Sequence, residues 1–188
     1  MKFNCDLEKM MEHFTVKGAF LSVKAGEKTN TMTISWGFVG FMWGKPVFIA
    51  VVRPQRYTYE LINQSGDYTV SVPYEVLGEE LTICGTQSGA DIDKSKVVSF
   101  LPGKSVSSPV VAGCQLYYEC KKLHVQQLDG SLLPDEISKQ FYENDYNYMY
   151  FGKIVECYKE YKEANYGTRP KARRFQCHYQ GLLRCPAH

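Results

Sequence analysis

Apolar and polar residues alternate along much of this chain, and the pattern predicts a mostly β structure. Strict alternation is typical of a strand that buries one face and exposes the other. The stretches that carry it are residues 19–24, 31–36, 67–74, 114–127 and 148–158. Residues 46–52 form a continuous apolar run rich in Val and Ile instead, which predicts a strand buried on both faces.

Short helices are predicted between these strands. One runs from Thr58 to Gln64 and stops before Gly66, a second covers roughly residues 76–84, and a third lies near residues 94–99. Helices that interrupt a mostly antiparallel set of strands predict a closed or split β-barrel rather than a doubly wound sheet. The chain of 188 residues has no repeat or linker, so residues 1–188 are expected to form one domain with an extended C-terminal tail from about residue 160.

The predicted strand at residues 31–36 has two faces of different polarity. The hydroxyls of Thr31, Thr33 and Ser35 share one face, and apolar side chains share the other. The hydroxyl face has two interpretations. It could present polar groups to the edge of a planar ligand, or it could be the solvated face of an edge strand.

The apolar run at residues 46–52 ends at a basic turn that suits a phosphate group. Pro54 biases Arg53 away from helical dihedrals, so the chain turns before the helix that begins near Thr58. Free N–H groups at a helix start and nearby guanidinium groups bind anions. We predict that Arg53 and Thr58 hold the phosphate, with Arg56 and Tyr57 as secondary candidates. The alternative is that Arg53 only ends a strand in solvent.

Four segments spread over most of the chain carry a likeness to a known protein family. They read NTMTISWG (30–37), WGKPVFIAVVRPQRYTYELI (43–62), CGTQSGADIDK (84–94) and YMYFGKIVECY (148–158). With these segments the chain resembles the flavin reductase-like FMN-binding split-barrel proteins, most closely their flavoredoxin-like branch. The resemblance implies a mainly β, Greek-key type split barrel that binds FMN.

The resemblance also implies where the cofactor lies. In these proteins the N-T-x-T strand and the turn after it line the flavin, and the segment equivalent to 84–94 lies near it, although that segment could also be an ordinary helix end and loop. Several relatives carry a His where this chain has Asn147, so no role of that His is assigned here. The residues predicted to bind the cofactor are Asn30, Thr31, Met32, Thr33, Ser35, Trp36, Arg53, Arg56, Tyr57, Thr58, Ser88, Asp93 and Lys94.

Three functions are compatible with this reading of the chain. The first is an NAD(P)H-dependent flavin reductase, in which NADH or NADPH reduces the flavin and a protein or small-molecule acceptor takes the electrons. The second is an FMN-containing electron-transfer protein of the flavoredoxin type without direct nicotinamide turnover. The third is a split barrel that binds a ligand without redox function. The flavin carries the chemistry in the first two, so no catalytic residue is assigned.

Composition and charge argue against other classes. The chain is 44% hydrophobic and 22% charged, as in ordinary globular proteins. Its net charge of +2 and a single basic cluster near residues 169–174 do not predict nucleic-acid binding. No apolar run approaches the roughly 20 residues that span a bilayer, and charges break up the N-terminus. We therefore expect a cytoplasmic protein without a membrane segment.

The seven cysteines predict reduced thiols rather than a disulfide framework, because no C-x-x-C pair is present. Cys177, His178, Cys185 and His188 lie close together in sequence but match no standard zinc spacing, so no metal site is expected. Cys84, within the third resembling segment, has two interpretations: a thiol close to the flavin, or a buried and inert residue, and the second is predicted.

A cluster of large apolar residues predicts self-association. The stretch between Gly37 and Gly44, with the residue before it, is expected to be a loop that carries this cluster. Its members are Trp36, Phe38, Phe41, Met42 and Trp43. A monomer would expose much of this surface unless the loop folded back onto its own barrel. The resemblance also implies a flavin site near a subunit interface, so a homodimer is expected.

Overall fold

Antiparallel strands dominate the fold, and the helices between them are short. The computed structural model describes residues 2–160 except residues 5 and 75. Its strands are β1 (Ala19–Ala25), β2 (Lys28–Ile34), β3 (Gly37–Met42), β4 (Lys45–Val52), β5 (Asp67–Val72), β6 (Phe100–Leu101), β7 (Val110–Val111), β8 (Leu116–Gln127) and β9 (Tyr148–Lys159). Its helices are α1 (Leu7–Val16), α2 (Tyr57–Gln64), α3 (Gly78–Thr86) and α4 (Asp135–Phe141), with 3₁₀ turns at Lys94–Lys96 and Gly130–Leu132.

The main sheet has seven strands in the order β2-β1-β5-β8-β9-β4-β3, and every neighbouring pair is antiparallel. The chain passes directly from β2 at one edge to β3 at the other. The backbone N–H of Val51 on β4 donates to the carbonyl of Trp36, 3.3 Å away, just after β2. This bond extends the β3–β4 pairing by one residue beyond Gly37 and Ala50. The mainly β, split-barrel fold predicted from the sequence is confirmed.

The barrel core contains the apolar face that the alternation predicted for β5. Tyr68, Val70 and Val72 are all fully buried there. The Tyr68 hydroxyl donates to the backbone carbonyl of Phe48 at 2.6 Å, and the carbonyl of Tyr150 on β9 lies 3.0 Å away as an alternative acceptor, so the buried phenol is satisfied. A Cβ on Gly152 of β9 would lie 2.5 Å from the Tyr68 oxygen, so only glycine leaves room for this ring.

Two details of the strand prediction are wrong. The stretch bounded by Gly37 and Gly44 is strand β3, which pairs with β4 along its whole length, and is not a loop. The apolar run on β4 is not uniformly buried: Phe48 is buried in the barrel, whereas Ile49 and Val51 on the opposite face are only half-buried. The continuous apolar run of β4 therefore has one face buried in the barrel and one face that is partly exposed to solvent.

Element boundaries also differ from the predictions. The predicted strand 31–36 begins at Lys28 and ends at Ile34, which leaves Ser35 and Trp36 in the connection to β3. The second helix lies about two residues later than predicted, and the third is only the 3₁₀ turn at Lys94–Lys96. Helices α1 and α4 were not predicted.

The C-terminal tail, the basic cluster near residues 169–174 and the Cys/His group at residues 177–188 lie outside the described residues. Within the described part of the chain, no helix is both long and apolar enough to cross a membrane. The same part holds no group of three side chains placed to bind a metal ion.

Candidate functional site

Two adjoining cavities lie where β2, β4 and α2 meet. The strand-end cavity, of about 280 Å³, is lined by Met32, Thr33, Ile34, Ser35, Trp36, Val51, Arg53, Arg56 and Asn147. The helix-start cavity, of about 100 Å³, is lined by Asn30, Thr31, Met32, Gln55, Arg56, Tyr57, Thr58, Cys84, Thr86, Gln87, Ser88, Gly89 and Lys94. Met32 and Arg56 belong to both walls, so the two cavities form one continuous surface.

The structure brings almost all of the predicted site residues to these two walls. The exception is Asp93, whose carboxylate accepts hydrogen bonds from the backbone N–H of Ser95 at 3.0 Å and from its hydroxyl at 2.7 Å. These bonds hold the pKa of Asp93 below its usual value. Asp93 therefore caps the 3₁₀ turn and lines neither cavity.

The hydroxyls of Thr31 and Thr33 on β2 have partners within the protein, and contact of this face with a ligand stays a prediction. Thr31 is fully buried; its hydroxyl accepts a hydrogen bond from Ser22 at 2.9 Å and lies 3.2 Å from the carbonyl of Leu21, to which it donates. The hydroxyl of Thr33 donates to the carbonyl of Leu81 on α3 at 2.6 Å. The interpretation as a solvated face does not describe Thr31 or Thr33, because β1 engages the first hydroxyl and α3 engages the second. Ser35, just beyond the strand, is the exposed hydroxyl of the three.

The start of α2 forms one wall of the helix-start cavity. Thr58 is only 1% exposed, and its hydroxyl accepts a hydrogen bond from the side-chain amide of Asn30 at 2.8 Å. A Cβ on Gly89 would collide with that same amide, so the loop after α3 packs directly on Asn30. The backbone N–H groups of Tyr57 and Thr58 lie in the first turn of α2, where helix geometry provides no carbonyl one turn earlier.

Two cations converge on the carboxyl end of α3 beside this cavity. Lys94 is 3% exposed, and its ammonium donates to three backbone carbonyls, the closest being that of Gln87 at 2.6 Å. The guanidinium of Arg56 donates to the carbonyl of Gly85 at 3.0 Å. Burial lowers the pKa of Lys94; the nearby Cys84 opposes this shift and Arg56 adds to it. Among the described residues, no acidic side chain lines either cavity.

Cys84 is buried, as predicted from the sequence, with 2% exposure. Burial raises the pKa of its thiol, although the charge of Lys94 acts in the opposite direction. A thiol with a raised pKa remains protonated at neutral pH and is a poor nucleophile. The structure therefore gives Cys84 a packing role in the wall of the helix-start cavity.

Arg53 has protein partners of its own. Its guanidinium forms an ion pair with Asp145 at 3.0 Å and donates to the carbonyl of Phe141 at 2.5 Å. It also lies 5.5 Å from the ring centre of Tyr142, while the side-chain amide of Gln55 donates to Asp145. Arg53 and Thr58 line different cavities, so the predicted phosphate pair is divided between them, and phosphate binding by Arg53 remains a prediction.

These partners of Arg53 belong to residues 128–147, here called the rim segment, which connects β8 to β9 and borders the strand-end cavity. Phe141 packs edge-on against Trp36, with ring centres 5.5 Å apart. Asn147 is 1% exposed and donates to the Tyr142 hydroxyl at 3.1 Å. Sequence reasoning missed the rim segment because its residues show no regular apolar period and its partners lie far away in the chain.

The fold is similar to that of several proteins of known structure. The fold matches a flavoredoxin from Methanosarcina acetivorans with a TM-score of 0.60 and 25% identity, covering 76% of this chain and 67% of that one. It matches an NADH:FAD oxidoreductase from Streptomyces globisporus with a TM-score of 0.61 and 14% identity, covering 85% of this chain and 84% of that one. The second likeness is one of fold alone.

Two further proteins are similar in sequence. An uncharacterized protein from Archaeoglobus fulgidus is 30% identical over 135 residues, which cover 70% of this chain and 76% of that protein. A second, from Pyrococcus abyssi, is 26% identical over 97 residues and spans about half of each chain, 51% here and 55% there. Residues 11–164 match the flavin reductase like domain, and the chain therefore belongs to this family.

Proposed function

We propose that this chain binds one FMN and acts as a flavin reductase with NADH or NADPH as the electron donor. The observation that carries the proposal is the pair of adjoining cavities. One lies next to a helix start with Arg56 and Lys94 in its wall, and the other adds apolar and aromatic side chains to Arg53 and Arg56. A molecule with an anionic tail and a planar ring has the shape and charge that this surface accommodates.

The helix-start cavity supplies the groups that a phosphate requires. Arg56 and Lys94 bring positive charge, and the first-turn amides of Tyr57 and Thr58 provide N–H donors at the positive end of the α2 dipole. Thr58 itself is held in place by Asn30, so the start of the helix is fixed before any ligand binds. These residues therefore fit the phosphate end of FMN.

The strand-end cavity fits the ring end. Met32 and Trp36 offer apolar surface, and Ser35 offers an exposed hydroxyl at the end of β2. Bound FMN supplies hydride and electron transfer, and the protein positions its ring and excludes water from it. Trp36, backed by the ring of Phe141, is placed to perform that shielding.

An electron-transfer protein of the flavoredoxin type is the second candidate. Ser35 is exposed and Trp36 is 40% exposed, so the mouth of the strand-end cavity is accessible to a protein donor as well as to a small molecule. The likeness to the Methanosarcina acetivorans flavoredoxin supports the same possibility. In this case FMN would bind equally well but NADH and NADPH would not reduce it.

Two measurements test these proposals in sequence. A visible spectrum of the folded protein after incubation with FMN and removal of excess should show about one flavin per chain. Anaerobic mixing with NADH or NADPH should then bleach the flavin absorbance if the chain is a reductase. Bleaching by dithionite but by neither nucleotide would favour the electron-transfer protein, and a folded protein without flavin absorbance would reject both.

We also propose that the chain forms a homodimer through the exposed face around β3. Phe38, Phe41 and Trp43 are 58%, 68% and 51% exposed, and β3 is an edge strand of the main sheet. An unprotected apolar edge favours pairing with a second copy. Sedimentation at micromolar concentration should give twice the chain mass of 21.5 kDa. A species of one chain mass would contradict this proposal.

A further inference from the structure

A third cavity, of about 540 Å³, opens beside the two already described and is larger than either. It lies between the carboxyl end of α1, the end of β2 and one side of α3, and we call it the helix-side cavity. Lys17, which directly follows α1, lines the cavity, and Thr82 and Gly85 form part of the α3 wall. None of these three residues lines the strand-end or helix-start cavity.

The helix-side cavity is continuous with the strand-end cavity. Thr33, Ser35 and Arg56 belong to the walls of both. A ligand that extends from the helix-side cavity past Ser35 would therefore reach the place proposed for the flavin ring. A cavity with this connection is suited to a second substrate that must meet the ring.

The charge of the cavity indicates the class of that substrate. Lys17 supplies a positive charge that is not assigned to FMN, and Arg56 adds a second charge that the cavity shares with the proposed phosphate site. Among the described residues, no acidic side chain lines the cavity. The hydroxyl of Thr82 is already used, because it donates to the carbonyl of Gly78 within α3 at 2.9 Å. Recognition would therefore depend on charge, which suits phosphate groups, more than on a set of directed hydroxyl contacts.

We infer that the helix-side cavity binds the pyrophosphate-containing part of a nicotinamide dinucleotide, with Lys17 as a contact that FMN does not use. The inference rests on the proposed function, since it names where the electron donor of the reductase binds. The large volume agrees with it, because most of a dinucleotide lies beyond the nicotinamide ring that reacts.

The test uses the FMN-loaded protein and titrates it with ADP-ribose, which carries the pyrophosphate but has no nicotinamide and cannot transfer electrons. Lys17→Ala should weaken ADP-ribose binding about fivefold by calorimetry, the upper range for one exposed charge pair. Thr82→Leu should weaken it as well, because the larger side chain would fill the cavity. Lys28→Ala is the matched control, since Lys28 is an exposed lysine at the opposite end of β2.

Turnover provides a second readout. Lys17→Ala should raise KM for NADH or NADPH by a similar factor and leave kcat nearly unchanged. Reduction by 1-benzyl-1,4-dihydronicotinamide, which has no phosphate, should be unaffected. FMN affinity should stay at the wild-type value in Lys17→Ala and in Thr82→Leu.

Three results would overturn the inference, and they are distinguishable from failure of the proposed function. Unchanged ADP-ribose binding and KM in both variants would show that the donor binds elsewhere, although the protein is a reductase. A loss of FMN affinity in Lys17→Ala without a loss of riboflavin affinity would place the flavin phosphate in this cavity. A wild-type protein that binds FMN but neither ADP-ribose nor NADH would reject the inference together with the reductase proposal, while FMN binding would stand.

Discussion

The two ends of the proposed FMN site are built in different ways. The helix-start cavity is enclosed by β2, α2 and the end of α3, and the residues that shape it are nearly inaccessible: Asn30 and Lys94 are each 3% exposed and have partners inside the protein. The strand-end cavity is bordered by the rim segment, in which none of the seven residues of α4 is buried. The helix-start cavity is therefore part of the folded core, whereas the rim segment beside the strand-end cavity is attached to the surface of that core.

This difference suggests a division of roles between the two ends. Segments with few buried contacts open at low free-energy cost, whereas core elements open only with global unfolding. We therefore expect the helix-start cavity to determine how tightly the phosphate is held. The rim segment should influence how fast the ring end is covered and released.

The largest effect should come from Arg56, at the junction of the cavities. Arg56→Ala should weaken FMN binding tenfold to a hundredfold, because a hydrogen bond to a charged group contributes about 1.5–3 kcal/mol. Riboflavin, which lacks the phosphate, should bind almost as it does to the wild type. Flavin fluorescence titrations with both ligands measure the difference. An equal loss for the two flavins would mean that Arg56 supports the fold through Gly85 and does not bind the phosphate.

A smaller effect should appear as a pH dependence of FMN affinity through Lys94. Burial lowers the pKa of Lys94 from its ordinary value of 10.5, so the ammonium begins to lose its proton below that pH. FMN affinity should then fall as the pH rises, because the phosphate loses a cation, while riboflavin affinity stays flat. Lys94→Met should bind FMN more weakly and without this alkaline transition. If that variant keeps the transition, another group is responsible for it.

The same shift has an opposite consequence for stability. A lysine whose pKa is lower in the folded state than in the unfolded state disfavours folding while it is charged. Its contribution to the free energy of unfolding therefore improves as the pH rises through the lowered pKa toward 10.5. Affinity and stability should change in opposite directions over this range.

The smallest change in affinity is expected for the rim segment. Arg53→Ala and Asp145→Asn each remove the ion pair that attaches it to the barrel, and we expect both flavins to bind about threefold more weakly. The rate of flavin release and the rate of proteolysis within residues 128–147 should both increase. The double variant should resemble either single one, because the two residues act on each other.

The same experiment decides between two interpretations of Arg53. If Arg53→Ala weakens FMN tenfold or more and leaves riboflavin unchanged, the prediction made from the sequence is correct and the guanidinium holds the phosphate. The Asp145→Asn variant would then retain FMN affinity, since it leaves the guanidinium in place.

The sequence predicted the parts of this protein that depend on local pattern. Alternation located β5 and its apolar core face correctly. It did not show that the polar face is buried as well: Thr69 donates to the carbonyl of Pro109, and Ser71 accepts a hydrogen bond from the backbone N–H of Val111. Strand β3 was missed since its flanking glycines indicate turns, whereas its strand geometry comes from pairing with β4. Local signals do not reveal such a partner.

The site shows the same limit more clearly. The residues of the helix-start cavity could be named because they belong to segments with a family likeness. The sequence could not show that α3 covers the hydroxyl of Thr33, nor that Arg53 pairs with Asp145, 92 positions later in the chain. Hydrogen bonds over such separations depend on how the barrel closes, and the period of a strand carries no information about that.

The position of Trp36 allows the site to be followed by intrinsic tryptophan fluorescence. The chain has two tryptophans; Trp36 lies in the wall of the strand-end cavity, and Trp43 lies against Phe151 on the outside of the sheet, with ring centres 5.8 Å apart. Replacing Trp43 with Phe would leave a single indole emitter next to the proposed flavin ring and in contact with Phe141 of the rim segment. Its intensity would then report occupancy by energy transfer to the flavin, and in the flavin-free protein its wavelength would report movement of the rim.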